Sequence, residues 1–142
     1  TPGHYFGATY LDGRQSTAGP TEHSIEAVTI DGWAKDHTDE IVGAIKIDTD
    51  GTDLEIAKSA EQTIRRDSPI ILMEFLAGAT NESAALFEFA EQIDYRIYAF
   101  HGINDAKGPS LHRIMPDSFA EQGFKMLFLT PVSHWEIMES LA

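Results

Sequence analysis

The sequence predicts an α/β domain built on a mostly parallel sheet with flanking helices. Three observations carry this. Ile41–Asp48 and Ile70–Leu76 are almost unbroken apolar runs of strand length. Thr52–Arg66, between them, places Leu54, Ala57, Ala60 and Ile64 on one face at helical spacing. The alternation then repeats through a helix at Glu82–Gln92 into a third apolar run at Tyr95–Phe100. Strand, helix, strand in succession implies crossover connections, hence parallel strands covered on both faces.

Each element has its own signal. Residues 1–24 are interrupted by Gly and Pro and read as an irregular Gly-rich arm, ahead of a single α/β domain at residues 25–142. Ile25–Ile30 is β-branched and weakly alternating, and reads as a strand leading into a short helical stretch, Trp33–His37. Ile41–Asp48 leaves Lys46 as its polar exception before the acids and reads as a buried strand. Thr52, with Glu55 three residues on, has the form of a capping box for the long helix, and Asp67-Ser68-Pro69 stops it. The run Ile70–Leu76 is broken by one carboxylate, Glu74. Leu86, Phe89, Ala90 and Ile93 form the inner face of the second helix. His101–Pro116 reads as a long loop, Ser118 with Glu121 as a capped turn, and Lys125–Thr130 as the last strand. Ser133 with Glu136 marks the start of a terminal helix.

Composition narrows the functional classes. At 142 residues, 42% hydrophobic and 23% charged, the chain is an ordinary single-domain protein able to bury a core. A net charge of -13 disfavours nucleic acid and anionic membrane surfaces as partners and suits a cytoplasmic protein. The chain has no cysteine, which excludes a disulfide framework and a thiolate nucleophile. No run approaches transmembrane length and no leader is evident. The first residue is not Met, so the chain reads as processed or cut from something longer.

The chemistry concentrates at the turn in Ile41–Glu55. Asp48, Asp50 and Asp53 fall within six residues where a strand meets a helix. The carboxyl ends of strands in open α/β sheets are where ligands bind. Asp53 lies in the first helical turn, where a carboxylate suits the dipole, and is read as structural. Asp48 ends an apolar strand and needs a partner or a cleft, and Glu74 poses the same question on the next strand. If those strands are parallel neighbours, Asp48 and Glu74 lie near one sheet edge. The histidines are scattered, with no pair at helical ligand spacing and no metal site assigned. His101, just after a strand end, is the histidine with a position suited to the cleft, and Arg113 in the same loop could serve an anionic substrate, whereas Trp33 and Trp135 read as packing residues.

Several motifs in order resemble the FkbM-type methyltransferases. VTIDGWA, then IKIDTDGTDLEIAKSA, then SPIILMEF follow that family's V-x-x-x-T-L-D element, its K-I-D-V-E-G-x-E element and its x-P-x-I-x-x-E strand. YRIYAF and FKMLFLTP are similar to its later strands, so the likeness spans about residues 28–131. The resemblance implies the C-terminal part of a Rossmann-like methyltransferase fold. It implies methyl transfer from S-adenosylmethionine to an oxygen of a small molecule or sugar. Asp48 would then act as general base or hydrogen-bond the acceptor hydroxyl, with Asp50 and Glu74 lining the same cleft. Two departures stand out. The family's E-G-x-E is Asp50-Gly51-Thr52-Asp53 here, and the family's D-x-G-x-x-x-G cofactor turn has no counterpart. No cofactor-binding residue is therefore assigned, and this segment alone is expected to be inactive.

Two alternatives remain at this level. One is a non-catalytic interaction module whose sheet edge, lacking its usual neighbours, is covered by a partner or by homodimerisation. The other follows from DTDGT, which fits the opening of the magnesium-dependent haloacid-dehalogenase-like phosphatases. There Thr130 and Gly102-Ile103-Asn104-Asp105 would supply later motifs, although in the wrong order.

Overall fold

The computed structural model describes residues 28–49, 51–75, 80–101, 110–117, 119 and 126–140. The Gly-rich arm, Asp50 and the turn proposed at Ser118 lie outside them. Five strands form one sheet: β1 (Ala44–Ile47), β2 (Ile70–Glu74), β3 (Tyr95–His101), β4 (Ser110–Arg113) and β5 (Met126–Pro131), in the order β1-β2-β5-β3-β4. The helices are α1 (Ile30–Lys35), α2 (Asp53–Lys58), α3 (Glu61–Asp67), α4 (Thr80–Gln92) and α5 (Trp135–Ser140), the last preceded by a single 3-10 turn, Val132–His134.

The α/β class holds, but the sheet is mixed rather than mostly parallel. β1 and β2 pair in parallel, with Ile47 opposite Met73. β5 runs antiparallel to both β2 and β3, and β4 antiparallel to β3. The helical crossovers after β1 and β2 bring the chain back to the same sheet edge, so β1, β2 and β3 share a direction. The last strand is inserted, reversed, between β2 and β3, and β4 folds back against β3. Two reversed strands make most of the pairings antiparallel.

Neighbours across the sheet share a face. Ile47, Ile71, Met73, Ile97, Ala99, Leu127 and Leu129 share one core with Ala57, Ile64, Leu86 and Phe89 of α2, α3 and α4 and with Ala60 and Ile93 at the helix ends. The other face carries a smaller cluster of Tyr98, Leu111 and Met138, with Phe128 against it. Tyr95 donates its buried hydroxyl to the Pro69 carbonyl at 2.8 Å, and burial pushes its pKa well up.

Four expectations are corrected. Ile25–Ile30 is not a strand over its described part: Thr29 Oγ1 accepts from Gly32 N–H at 3.0 Å and Ile30 opens α1. The helix expected over Thr52–Arg66 is two helices, divided at Ser59–Ala60. There the Asp31 carboxylate accepts from Gln62 N–H (3.0 Å), Thr63 N–H (2.8 Å) and Thr63 Oγ1 (2.7 Å), and so starts α3 from outside. β1 is not buried on both faces. It is the edge strand, with Ala44 and Lys46 exposed, Ile45 half-buried and Ile47 buried, and Ile41 before it is 83% exposed. Lastly, β4 stands inside the stretch expected to be loop. Its four residues turn one apolar side chain, Leu111, inward, which is too little for a periodicity signal.

Candidate active site at the carboxyl edge of the sheet

The turn after β1 is organised by Asp53. Its side chain is buried and accepts from Thr49 N–H at 3.2 Å and Gly51 N–H at 3.1 Å. Gly51 has φ +116°, a conformation that L side chains rarely adopt, and this lets the chain reverse within the turn. Thr52 holds the N-cap position of α2 but makes no side-chain cap bond, so the expected capping box with Glu55 does not form. Its hydroxyl donates instead to Thr49 Oγ1 at 3.0 Å. The structural reading of Asp53 is right, with the carboxylate closing the turn onto its own helix.

Asp48 and Glu74 leave the sheet side by side. The parallel register ends at Ile47 opposite Met73, and each acid is the next residue. Alternation turns them away from the core face that holds Ile47 and Met73. Asp48 is half exposed and ion-paired with Lys46, two residues earlier on the same strand. Glu74 is half-buried opposite Met126 of β5.

Because β3 runs with β1 and β2, its last residue, His101, reaches the same edge, beyond the start of β5. The His101 and His112 rings lie 5.1 Å apart in a T-shaped contact, and Ser110 Oγ is 2.8 Å from His112 Nε2. His112 joins this group because β4 exists, and the residues S-L-H-R signalled that strand too weakly for sequence reasoning to find it. Arg113 does not join it. It points to the opposite end of β3, where it lines a cleft of about 450 Å³ with Arg96, Glu91, Met115 and Pro116. That cleft, and a smaller one beside it lined by Arg65 and Ser133, contain neither Asp48 nor Glu74. Carboxylates at the carboxyl ends of adjacent parallel strands have the stronger claim as a site, on the general geometry of open α/β sheets.

Among the described residues, no group of three or more His, Asp or Glu side chains converges to hold a metal ion, and no helix is long and apolar enough to cross a membrane. Among the described residues, Thr130 does not join Asp48 as the phosphatase arrangement would need. β5 is antiparallel to β2, so Thr130 lies towards the sheet edge opposite Asp48. Thr130 Oγ1 is also fully buried, with no hydrogen-bond partner.

The fold is an α/β sheet with Asp48 and Glu74 one residue beyond the last paired residues of two adjacent parallel strands. The methyltransferase FkbM domain matches residues 4–126, most of the chain, and the chain belongs to that family. No curated protein and no solved structure matches it.

Proposed function

We propose that this chain carries the acceptor side of a methyl-transfer site, the methyl group coming from S-adenosylmethionine and going to an oxygen of a small molecule or sugar. The observation that carries the reading is the family match over residues 4–126, joined to the side-by-side exit of Asp48 and Glu74 from β1 and β2. Asp48 accepts a hydrogen bond from the acceptor hydroxyl and takes its proton as the oxygen becomes nucleophilic. Glu74, one strand away, holds a second hydroxyl and fixes orientation, the larger part of such catalysis. Asp50, two residues after Asp48 in sequence, is a supporting acid. A cytoplasmic setting suits such an acidic, cysteine-free chain.

The described residues do not fit the cofactor itself. Among them, one glycine turn follows a strand and opens a helix, at Gly51, and its amide is committed to Asp53. A Cβ added at Gly51 would meet nothing within 4 Å, so the turn is not a tight cradle. No step of the mechanism is therefore assigned to cofactor contacts in this chain.

Two titrations test the reading. Backbone amide shifts followed during titration with simple sugars are expected to cluster at residues 47–53 and 74, and to vanish in Asp48→Asn. Shifts confined to the cleft around Arg113 would overturn the placement of the acceptor. Calorimetry with S-adenosylhomocysteine is expected to show no binding to this chain alone. Tight binding would refute the division into acceptor and cofactor sides.

A further inference from the structure

Pairing of β3 with β4 brings together two histidines that are well separated in sequence. His101 stands opposite Ser110 in the antiparallel ladder and Ala99 opposite His112, so His101 and His112 are diagonal neighbours on one face of the sheet. Their ring centres lie 5.1 Å apart. Two imidazoles bound through nitrogen to one tetrahedral zinc ion, each at about 2.0–2.1 Å, have ring centres about 5 Å apart. The two strands therefore already hold the rings at a chelating separation. What chelation asks further is rotation of the rings about their side-chain bonds, not movement of the strands. One nitrogen from each ring suffices. Ser110 Oγ, 2.8 Å from His112 Nε2, takes up one nitrogen of that ring and leaves Nδ1. A hydrogen bond on the second nitrogen is how metal-bound histidines are ordinarily oriented, so a partner there is compatible with the site.

We propose that His101 and His112 form a binding site for a divalent transition metal of the zinc class, which clips β4 to β3. The ligand atoms choose the ion, because imidazole suits zinc, copper or nickel, whereas magnesium and calcium take oxygen. The weakness of β4 supplies the role. Among the described strands it pairs with β3 alone, and of its four residues Leu111 is the buried one. An ion bonded to both strands adds a cross-link where packing supplies little. His37, by contrast, is stacked on Trp33 with ring centres 4.1 Å apart. Two protein ligands are fewer than the three of a catalytic zinc site, so water fills the remaining positions and the ion exchanges. The inference is independent of the methyl-transfer reading. It rests on the contact between the two rings and not on an open surface around them.

Calorimetric titration of the full chain with zinc chloride tests it, with excess magnesium present to occupy the oxygen sites of so acidic a chain. One zinc ion per chain is expected, and the thermal unfolding midpoint is expected to rise with zinc concentration. His101→Gln and His112→Gln should each weaken zinc binding by at least about tenfold and remove the thermal shift, while His134→Gln leaves both unchanged. Proton NMR of the unsubstituted chain gives a second reading that does not depend on a variant folding. There the ring signals of both histidines should move together and stop at one zinc per chain. No saturable zinc uptake in the presence of magnesium would overturn the proposal. A site that survives either substitution, or ring signals of one histidine moving without the other, would overturn it equally.

Discussion

A carboxylate with 5% of its surface exposed needs donors around it, and Asp53 finds two in the backbone of its own turn. Removing it strands the amides of Thr49 and Gly51. Asp53→Ala should lower stability by about 2–3 kcal/mol, the range for hydrogen bonds to a charged group in a part-buried site, read from denaturant midpoints at constant slope. A loss under about 0.5 kcal/mol, typical of an inert surface change, would show that the turn closes without it. Ser68 makes the opposite case. It caps α3 with φ 53° and ψ 48°, a left-handed conformation costly for a residue with a Cβ, just before Pro69. Ser68→Gly should raise stability by about 0.5–1 kcal/mol, the relief of strain outweighing the added freedom of the unfolded chain. At this scale the sequence spoke unevenly. Position in the first helical turn marked Asp53 as structural. The exposure of Asp48 was not legible, since it depends on what covers β1 and nothing local encodes that.

Between elements, Asp31 does what no residue of its neighbour helices does. From the first turn of α1 it supplies the N-terminal acceptor for α3, so α3 starts at the break after α2 with its first amides satisfied. Ser59 completes the division, its hydroxyl bonding the Ile56 carbonyl at 2.7 Å while its own carbonyl accepts from Asp31 N–H at 3.2 Å. Asp31→Ala should cost about 1–2 kcal/mol, as loss of a cap does. Hydrogen exchange at Gln62 and Thr63 should accelerate more than at Ile71 or Leu129, and uniform acceleration would argue against a local role. The break explains why one helix was expected. Leu54, Ala57, Ala60 and Ile64 keep helical spacing across it, and a long-range cap leaves no trace in periodicity. The strands at Ile70, Tyr95 and Met126 were legible because each is an apolar run. Thr29 was misread because Ile25–Ile30 is β-branched, while its role as a cap depends on Gly32, where a Cβ would lie 2.9 Å from its hydroxyl oxygen.

For the molecule as a whole, the outer end of the sheet is tied down by Asp67. Its carboxylate accepts from the Arg66 side chain at 2.7 Å and from Val42 N–H at 2.9 Å, joining the approach to β1 to the end of α3. The Arg66 hydrogen bond, then that from Val42, holds its pKa at about 2, below the ordinary 3.8. A depressed carboxylate pKa stabilises the fold above the unfolded value, and that contribution disappears as pH falls from about 4 towards 2. Acid titration of the unfolding midpoint should therefore steepen across this window, and Asp67→Asn should flatten it. An unchanged acid limb in Asp67→Asn would assign the slope to other acids. The directions of β1, β2 and β3 were legible from helical crossovers, but neighbour order was not, because periodicity says how a strand is covered and nothing of what lies beside it. The antiparallel placement of β5 has a consequence for how the protein is made. β5 is bonded on both sides, and Leu127, Leu129 and Thr130 are fully buried. During translation β1 with β2, and β3 with β4, can pair early, yet the two halves have no common edge until residues 126–131 leave the ribosome. Completion of the sheet must wait for β5, and the nascent protein meanwhile presents two strand edges, those of β2 and β3, that chaperones have reason to recognise.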